Sequence, residues 1–234
     1  MSKTGQGRDM RAFDEIWAIA ATRMGGEAAL EDHLAGYRSK TPAEIAATPD
    51  DRILAQMARQ AFQAGFSWKV IEAKWPGFEA AFDGFDLNAC AFPSEEKFDA
   101  LLKDTRIIRN ARKILSVQAN ARFLLDLAKE KGSAARFFAD WPDSDYAGLL
   151  ELLKTRSSGI GGESAMRFVR SLGKPAFITS RDVTAALIRD GVLEKPPSGK
   201  KDLQRVQAAF DAWSKTSGRD LTAISRVLAM SVGL

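Results

Sequence analysis

Three observations predict an all-α fold for this chain of 234 residues. Apolar residues recur at intervals of three and four along nearly its whole length, residues suited to helix capping stand where those stretches begin, and period-two alternation is almost absent. Helices are predicted, in order, over residues 11–21, 26–37, 41–47, 50–64, 68–74, 77–82, 95–102, 105–131, 133–139, 146–154, 163–172, 180–190, 200–218 and 222–231. Gly65 breaks the pattern just before Trp68. In 105–131, Arg106, Arg109, Lys113, Ser116 and Asn120 form a polar stripe, with Ile107, Ala111, Ile114, Gln118 and Ala121 on another, mostly apolar face. Leu149, Leu150, Leu152 and Leu153 mark 146–154, and Ala165, Phe168, Val169 and Leu172 mark 163–172, which Gly173 stops. Ser180 is suited to cap the stretch carrying Val183, Leu187 and Ile188. Residues 177–179 are the best extended candidate and too few for a sheet, 194–201 form a Pro- and Gly-rich loop, and residues 1–8 read as a mobile tail. Residues 9–234 form a single helical domain, without internal repeats.

A hydrophobic content of 45% and a charged content of 27% suffice for one large core or two closely packed subdomains. The formal charge of +4 favours a polyanionic partner, through the clustering of cations around 103–113 and 154–170 rather than through its size. No apolar run approaches the roughly 20 residues needed to cross a bilayer, and the polar N-terminus lacks a signal-peptide core. No membrane association is expected, and the expected compartment is the cytoplasm. One cysteine excludes an internal disulfide, and with a single histidine it leaves little room for metal or thiol chemistry. Cys90 reads as a small buried hydrophobe, His33 as a surface residue, and Trp17, Trp75, Trp141 and Trp213 as packing residues. Catalysis must then rest on carboxylates.

The sequence Gly159-Ile-Gly-Gly162 lies between two predicted helices. A Gly-x-Gly turn can take positive φ and bring its N–H groups against a phosphate oxygen at the positive end of the next helix. Lys154, Arg156, Ser157, Ser158 and Ser164 supply a cationic and hydroxyl fringe around it. A tight helix reversal with no ligand is the competing reading. Asp182, in the first turn of the 180–190 helix, is favoured there by the helix dipole, as a capping acid or as a catalytic carboxylate.

Helix, Gly-x-Gly turn, helix, loop and aspartate together resemble the helix-hairpin-helix DNA glycosylases of base-excision repair. In that superfamily the aspartate stabilises the sugar oxocarbenium and helps activate water, which assigns a catalytic role to Asp182. Bifunctional members carry a lysine on the hairpin's second helix where this chain has Glu163. That departure implies a monofunctional enzyme with water as nucleophile.

Residues 60–68, Gln-Ala-Phe-Gln-Ala-Gly-Phe-Ser-Trp, followed by Val70, Ile71 and Phe82, resemble the pocket segment of the bacterial 3-methyladenine DNA glycosylase I family. Residues 107–114 with Asn120-Ala-Arg122 resemble that family's second motif. The resemblance implies a helix-hairpin-helix fold of two packed helical subdomains with a cleft between them, the base-pocket segment covering about residues 50–125 and the hairpin about 146–173. It assigns Gln60, Trp68, Phe62 and Phe66 to base binding. Lys154, Arg156, Ser158, Gly159, Gly161, Gly162, Ser164, Arg109 and Asn120 are assigned to DNA binding. Gln60 stands where the family has a base-contacting glutamate, so hydrogen bonding remains but the negative charge does not. The family's zinc clasp needs two cysteines and two histidines; with only Cys90 and His33 present, no structural zinc and no cofactor is expected. The implied partner is double-stranded DNA containing a damaged, alkylated base, bound by a monomer without an obligate protein partner. The alternative on the same scaffold is a protein that binds lesions or unusual DNA without cleaving.

Overall fold

The computed structural model describes residues 10–232, so the expected tail at 1–8 lies outside the described residues. Among the described residues there is no strand. Fourteen α-helices are formed there: α1 Phe13–Met24, α2 Glu27–Ala35, α3 Pro42–Ala46, α4 Asp50–Gln63, α5 Trp68–Ala81, α6 Leu87–Ala91, α7 Glu95–Lys103, α8 Ala111–Lys131, α9 Ala134–Asp140, α10 Tyr146–Arg156, α11 Glu163–Ser171, α12 Arg181–Arg189, α13 Lys200–Ser217 and α14 Leu221–Met230. The all-α class predicted from periodicity is observed.

Three elements differ from expectation. The helices predicted at 68–74 and 77–82 are one helix, α5, running through Pro76. Proline there removes a hydrogen bond and costs about 3 kcal/mol in a helix interior. Packing offsets it: the Trp75 ring stacks on Phe78 and Phe85, each at 5.5 Å, while Trp75 Nε1 donates to Glu79 at 2.9 Å. The helix predicted from residue 105 begins instead at Ala111, because the Asn110 side chain accepts from the Lys113 N–H at 3.1 Å and caps it. Helix α6, missed for its brevity, starts where the Asp86 side chain accepts from Ala89 N–H at 2.8 Å.

The chain divides into two compact units. One comprises residues 40–141 and 148–174. There α8 packs on α4, α6 and α9, and α4 also packs on α5 and α11. The core at α4 and α5 is aromatic, with Phe62 edge-on to Phe78 at 4.6 Å and Phe82 stacked on Phe85 at 5.5 Å. Asp50 accepts from the N–H groups of Ala134 and Ala135, both at 2.9 Å, and so neutralises the N-terminus of α9. The other unit comprises the described residues of 1–39, 142–147 and 175–234. Its core gathers Tyr146, Phe177, Phe210 and Trp213, all buried, with the Tyr146 hydroxyl donating to the Phe177 carbonyl at 3.1 Å. Residues 177–179, the extended candidate, form no strand; the N–H groups of Ala176, just before them, and of Ile178 donate to Thr222 Oγ1 and Ser225 Oγ on α14, at 3.0 and 3.1 Å.

Candidate nucleic-acid interface

The glycine turn joins α10 to α11. Gly159 and Gly162 have φ of 72° and 55°, the left-handed region that side chains with a Cβ rarely adopt. Between them Ile160 is buried and pins the turn to the core. Ser157 extends α10 by one bond, its N–H donating to Leu153 O at 2.9 Å. Gly161 and Ser164 bond each other: Gly161 N–H donates to Ser164 Oγ at 3.0 Å, and that hydroxyl donates to Gly161 O at 2.7 Å. Among the described residues, the exposed N–H groups of Gly159, Gly162 and Glu163 find no acceptor within the chain. The turn therefore presents unpaired donors at a helix N-terminus, an arrangement able to hold an anion.

Its cations are partly engaged. Lys154 lies 3.8 Å from Glu151, Arg156 lies 3.5 Å from Glu130, and Arg167 pairs with Glu163. Exposed pairs of this kind contribute about 0–1 kcal/mol, so a phosphate can displace them. Arg109 is exposed in the segment before α8, with no partner among the described residues.

Asn120, placed by its spacing on the polar stripe and assigned to DNA binding, is fully buried. Its Nδ2 donates to Ser158 O at 2.9 Å and its Oδ1 accepts from Ser158 N–H at 2.7 Å. Ser116, on the same stripe, is buried at 2% exposure. The Ser116 and Asn120 part of the stripe turns inward because α8 is covered on several sides, by α4, α6 and α9. Asn120 thus clamps the main chain beside Gly159 and is not itself open to a ligand.

The residues assigned to base binding separate by burial. Phe62 is completely buried, within the α4–α5 aromatic core, whereas Phe66 is 43% exposed and Trp68, the first residue of α5, is 61% exposed. Gln60, in the last turn of α4, is half-buried, and its amide has no partner among the described residues. Ala61, next to it, lies 3.5 Å from where a Cβ on Gly159 would stand, so α4 brings the pocket segment beside the hairpin. The loop before Trp68 is held by Lys113, whose Nζ donates to the carbonyls of Phe62, at 3.1 Å, and Ala64, and lies 4.7 Å from the Phe66 ring. Desolvation in that position pulls the Lys113 ammonium below its ordinary pKa. Spacing places Lys113 in the polar stripe but carries no signal of this contact.

Asp182 belongs to the other unit. Ser180 caps α12 by accepting from Val183 N–H at 3.4 Å, and Asp182 is exposed in the first turn. It opens onto a surface groove of about 690 Å³ shared with Met24, His33, Arg181, Ala185 and Met230. His33, half-exposed, is therefore a neighbour of that carboxylate along the groove, which spacing did not reveal. Cys90 is buried at 7% exposure, and desolvation pushes its thiol up to about 12, which removes it as a nucleophile.

Residues 44–149 match the model of the methyladenine glycosylase family. DNA-3-methyladenine glycosylase 1 of Escherichia coli strain K12 is 31% identical over 80 residues, which cover 34% of this chain and 43% of that protein. The chain thus spans less than half the length of this curated relative. Among solved structures, a 3-methyladenine DNA glycosylase I is 25% identical, with a TM-score of 0.45, over 54% of this chain and 79% of the other. The 3-methyladenine DNA glycosylase I of Staphylococcus aureus is 18% identical, with a TM-score of 0.46, over 53% of this chain and 76% of the other. This chain resembles the methyladenine glycosylases, and the matched stretch contains Gln60, Trp68, Lys113 and Asn120.

Proposed function

We propose that this protein is a DNA glycosylase of base-excision repair that hydrolyses the N-glycosidic bond of a damaged, alkylated base rotated out of duplex DNA. The observation that carries the reading is the pairing, in one compact unit, of a hairpin with unpaired N–H donors and a segment with an exposed indole and an unpaired carboxamide. The methyladenine glycosylase match across that segment supports it.

The hairpin donors and the N-terminus of α11 hold a phosphate, with Lys154, Arg156 and Arg109 adding charge that carries no sequence preference. The extruded base stacks on Trp68 and meets the Gln60 amide. Asp182 stabilises positive charge on the deoxyribose as the bond to the base loosens, and orients the attacking water. Glu163, paired with Arg167, occupies the hairpin position where a lyase needs an amine, so the product is an intact abasic site. Double-stranded DNA is the partner, and the protein acts as a monomer.

Asp182→Asn keeps the side-chain shape and removes the charge. It is expected to bind duplex DNA as the wild type does and to lose about 100-fold or more in base release; full activity in this variant overturns the catalytic role. The neutral Gln60 favours a second reading, a lesion-binding protein without cleavage. Oligonucleotides each carrying one defined modified base, scored for retention and for abasic-site formation, separate the two.

A further inference from the structure

We propose that the inward stripe of α8, formed by Lys113, Ser116 and Asn120, is a ruler that sets the spacing between the phosphate-binding hairpin and the base-contacting loop. The three residues follow at intervals of three and four, which places them on one helix face. At one end Lys113 holds the main chain of α4's last turn and the loop that follows, through the carbonyls of Phe62 and Ala64, and lies under the Phe66 ring. At the other end Asn120 saturates both main-chain groups of Ser158, immediately before Gly159. Ser116 fills the interval: its Cβ and Oγ would lie 3.5 Å from a Cβ on Gly159, and its hydroxyl donates to Lys113 O at 2.7 Å. From 113 to 120 the helix rises roughly 10 Å, and a helix buried on several sides does not stretch. Both ends hold main chain, so the spacing is fixed independently of surface side chains.

The proposal rests on the glycosylase reading. If a held phosphate and an extruded base must be reached at once, a fixed spacing between their two receptors converts binding of one into alignment of the other. Lys113, Ser116 and Asn120 are positioning residues, since each acts through the segment it holds.

The test uses the full-length chain carrying Asn120→Ala, Lys113→Met or Lys113→Arg, with two readouts: amide hydrogen exchange in the free protein, and binding and base-release kinetics on undamaged and methylated duplexes. Asn120→Ala is expected to raise exchange at Gly161 and Ser164 about tenfold, to leave Ala64 and Phe66 unchanged, and to weaken undamaged duplex binding about tenfold. Lys113→Met is expected to do the reverse: faster exchange at Ala64 and Phe66, undamaged duplex affinity within about twofold, and kcat on methylated DNA down about tenfold. Lys113→Arg, which keeps donor and charge, restores most of that kcat. Uniformly faster exchange through both segments, or wild-type kinetics in both Asn120→Ala and Lys113→Met, overturns the ruler alone. A wild-type protein that neither binds duplex nor releases any base overturns the glycosylase reading and the ruler's role with it.

Discussion

Phe62 and Trp68 lie six residues apart in one motif and carry opposite burdens. Phe62 has no exposed surface, and its truncation removes a ring that packs on Phe78 and Phe82 and lies 6.0 Å from the Lys113 ammonium. Phe62→Ala is expected to cost about 3–5 kcal/mol of stability, measured by denaturant unfolding. Trp68→Ala is expected to change stability by about 0.5 kcal/mol or less, since most of the ring already meets solvent. The same change should weaken binding of DNA with an unpaired or damaged base by about 1–3 kcal/mol, the usual contribution of a stacked aromatic. Equal losses of stability in the two variants would place Trp68 in the core. Cys90 offers a separate reading through pH. Its folded thiol is held protonated up to about 12 while the unfolded thiol ionises near its ordinary value of 9.0, so the folded state binds the extra proton between those limits. Stability from this residue is therefore complete below pH 9 and lost as pH rises toward 12. The stability of wild type relative to Cys90→Ala should fall between pH 9 and 11; a constant difference contradicts the burial argument.

At the scale of the element, the hairpin depends on backbone shape more than on its side chains. An alanine at Gly159 meets only ordinary contacts at 3.5 Å from Ala61 and Ser116, so space is not the obstacle. Its φ of 72° is, at a cost of roughly 1–2 kcal/mol for an L-residue. The turn relieves that strain by moving its N–H groups. Gly159→Ala should retain a cooperative melt with a modest loss of stability and lose duplex affinity disproportionately, by about tenfold or more in a fluorescence titration. A loss of affinity no larger than the loss of stability would show a turn that merely reverses the chain. Elsewhere the elements show how packing outweighs propensity: α5 accepts Pro76 because a stack of aromatic rings holds it, and α8 begins only where Asn110 can cap it.

For the whole molecule, a net charge of +4 is a weak attractor, so any affinity for duplex DNA must come from local arrangement. Phosphate contacts release counterions, and each adds roughly 0.9 to the slope of log affinity against log salt. Duplex binding should fall steeply between 50 and 200 mM salt, the range over which several such contacts cost orders of magnitude; a flat response removes the backbone grip. Asp182 and the hairpin belong to different compact units, and the unit holding Asp182 is assembled from both ends of the described chain, as when Arg11 N–H donates to Asp190 O at 3.0 Å and Trp213 Nε1 to Arg11 O at 3.0 Å. No helix among the described residues is long and apolar enough to cross a membrane.

Much of this was legible in the sequence alone. Apolar spacing determined the helical class, the glycines marked a turn needing positive φ, and the Gln60–Trp68 segment carried the family resemblance, because each depends on residues close together in the chain. Tertiary structure alone decided that Asn120 and Ser116 face inward, that Lys113 holds the loop before Trp68, that Phe62 is core while Trp68 is not, and that Asp182 shares its groove with His33. Periodicity states which residues share a helix face; which face is covered depends on helices that arrive from elsewhere in the sequence, and α8 is covered on several.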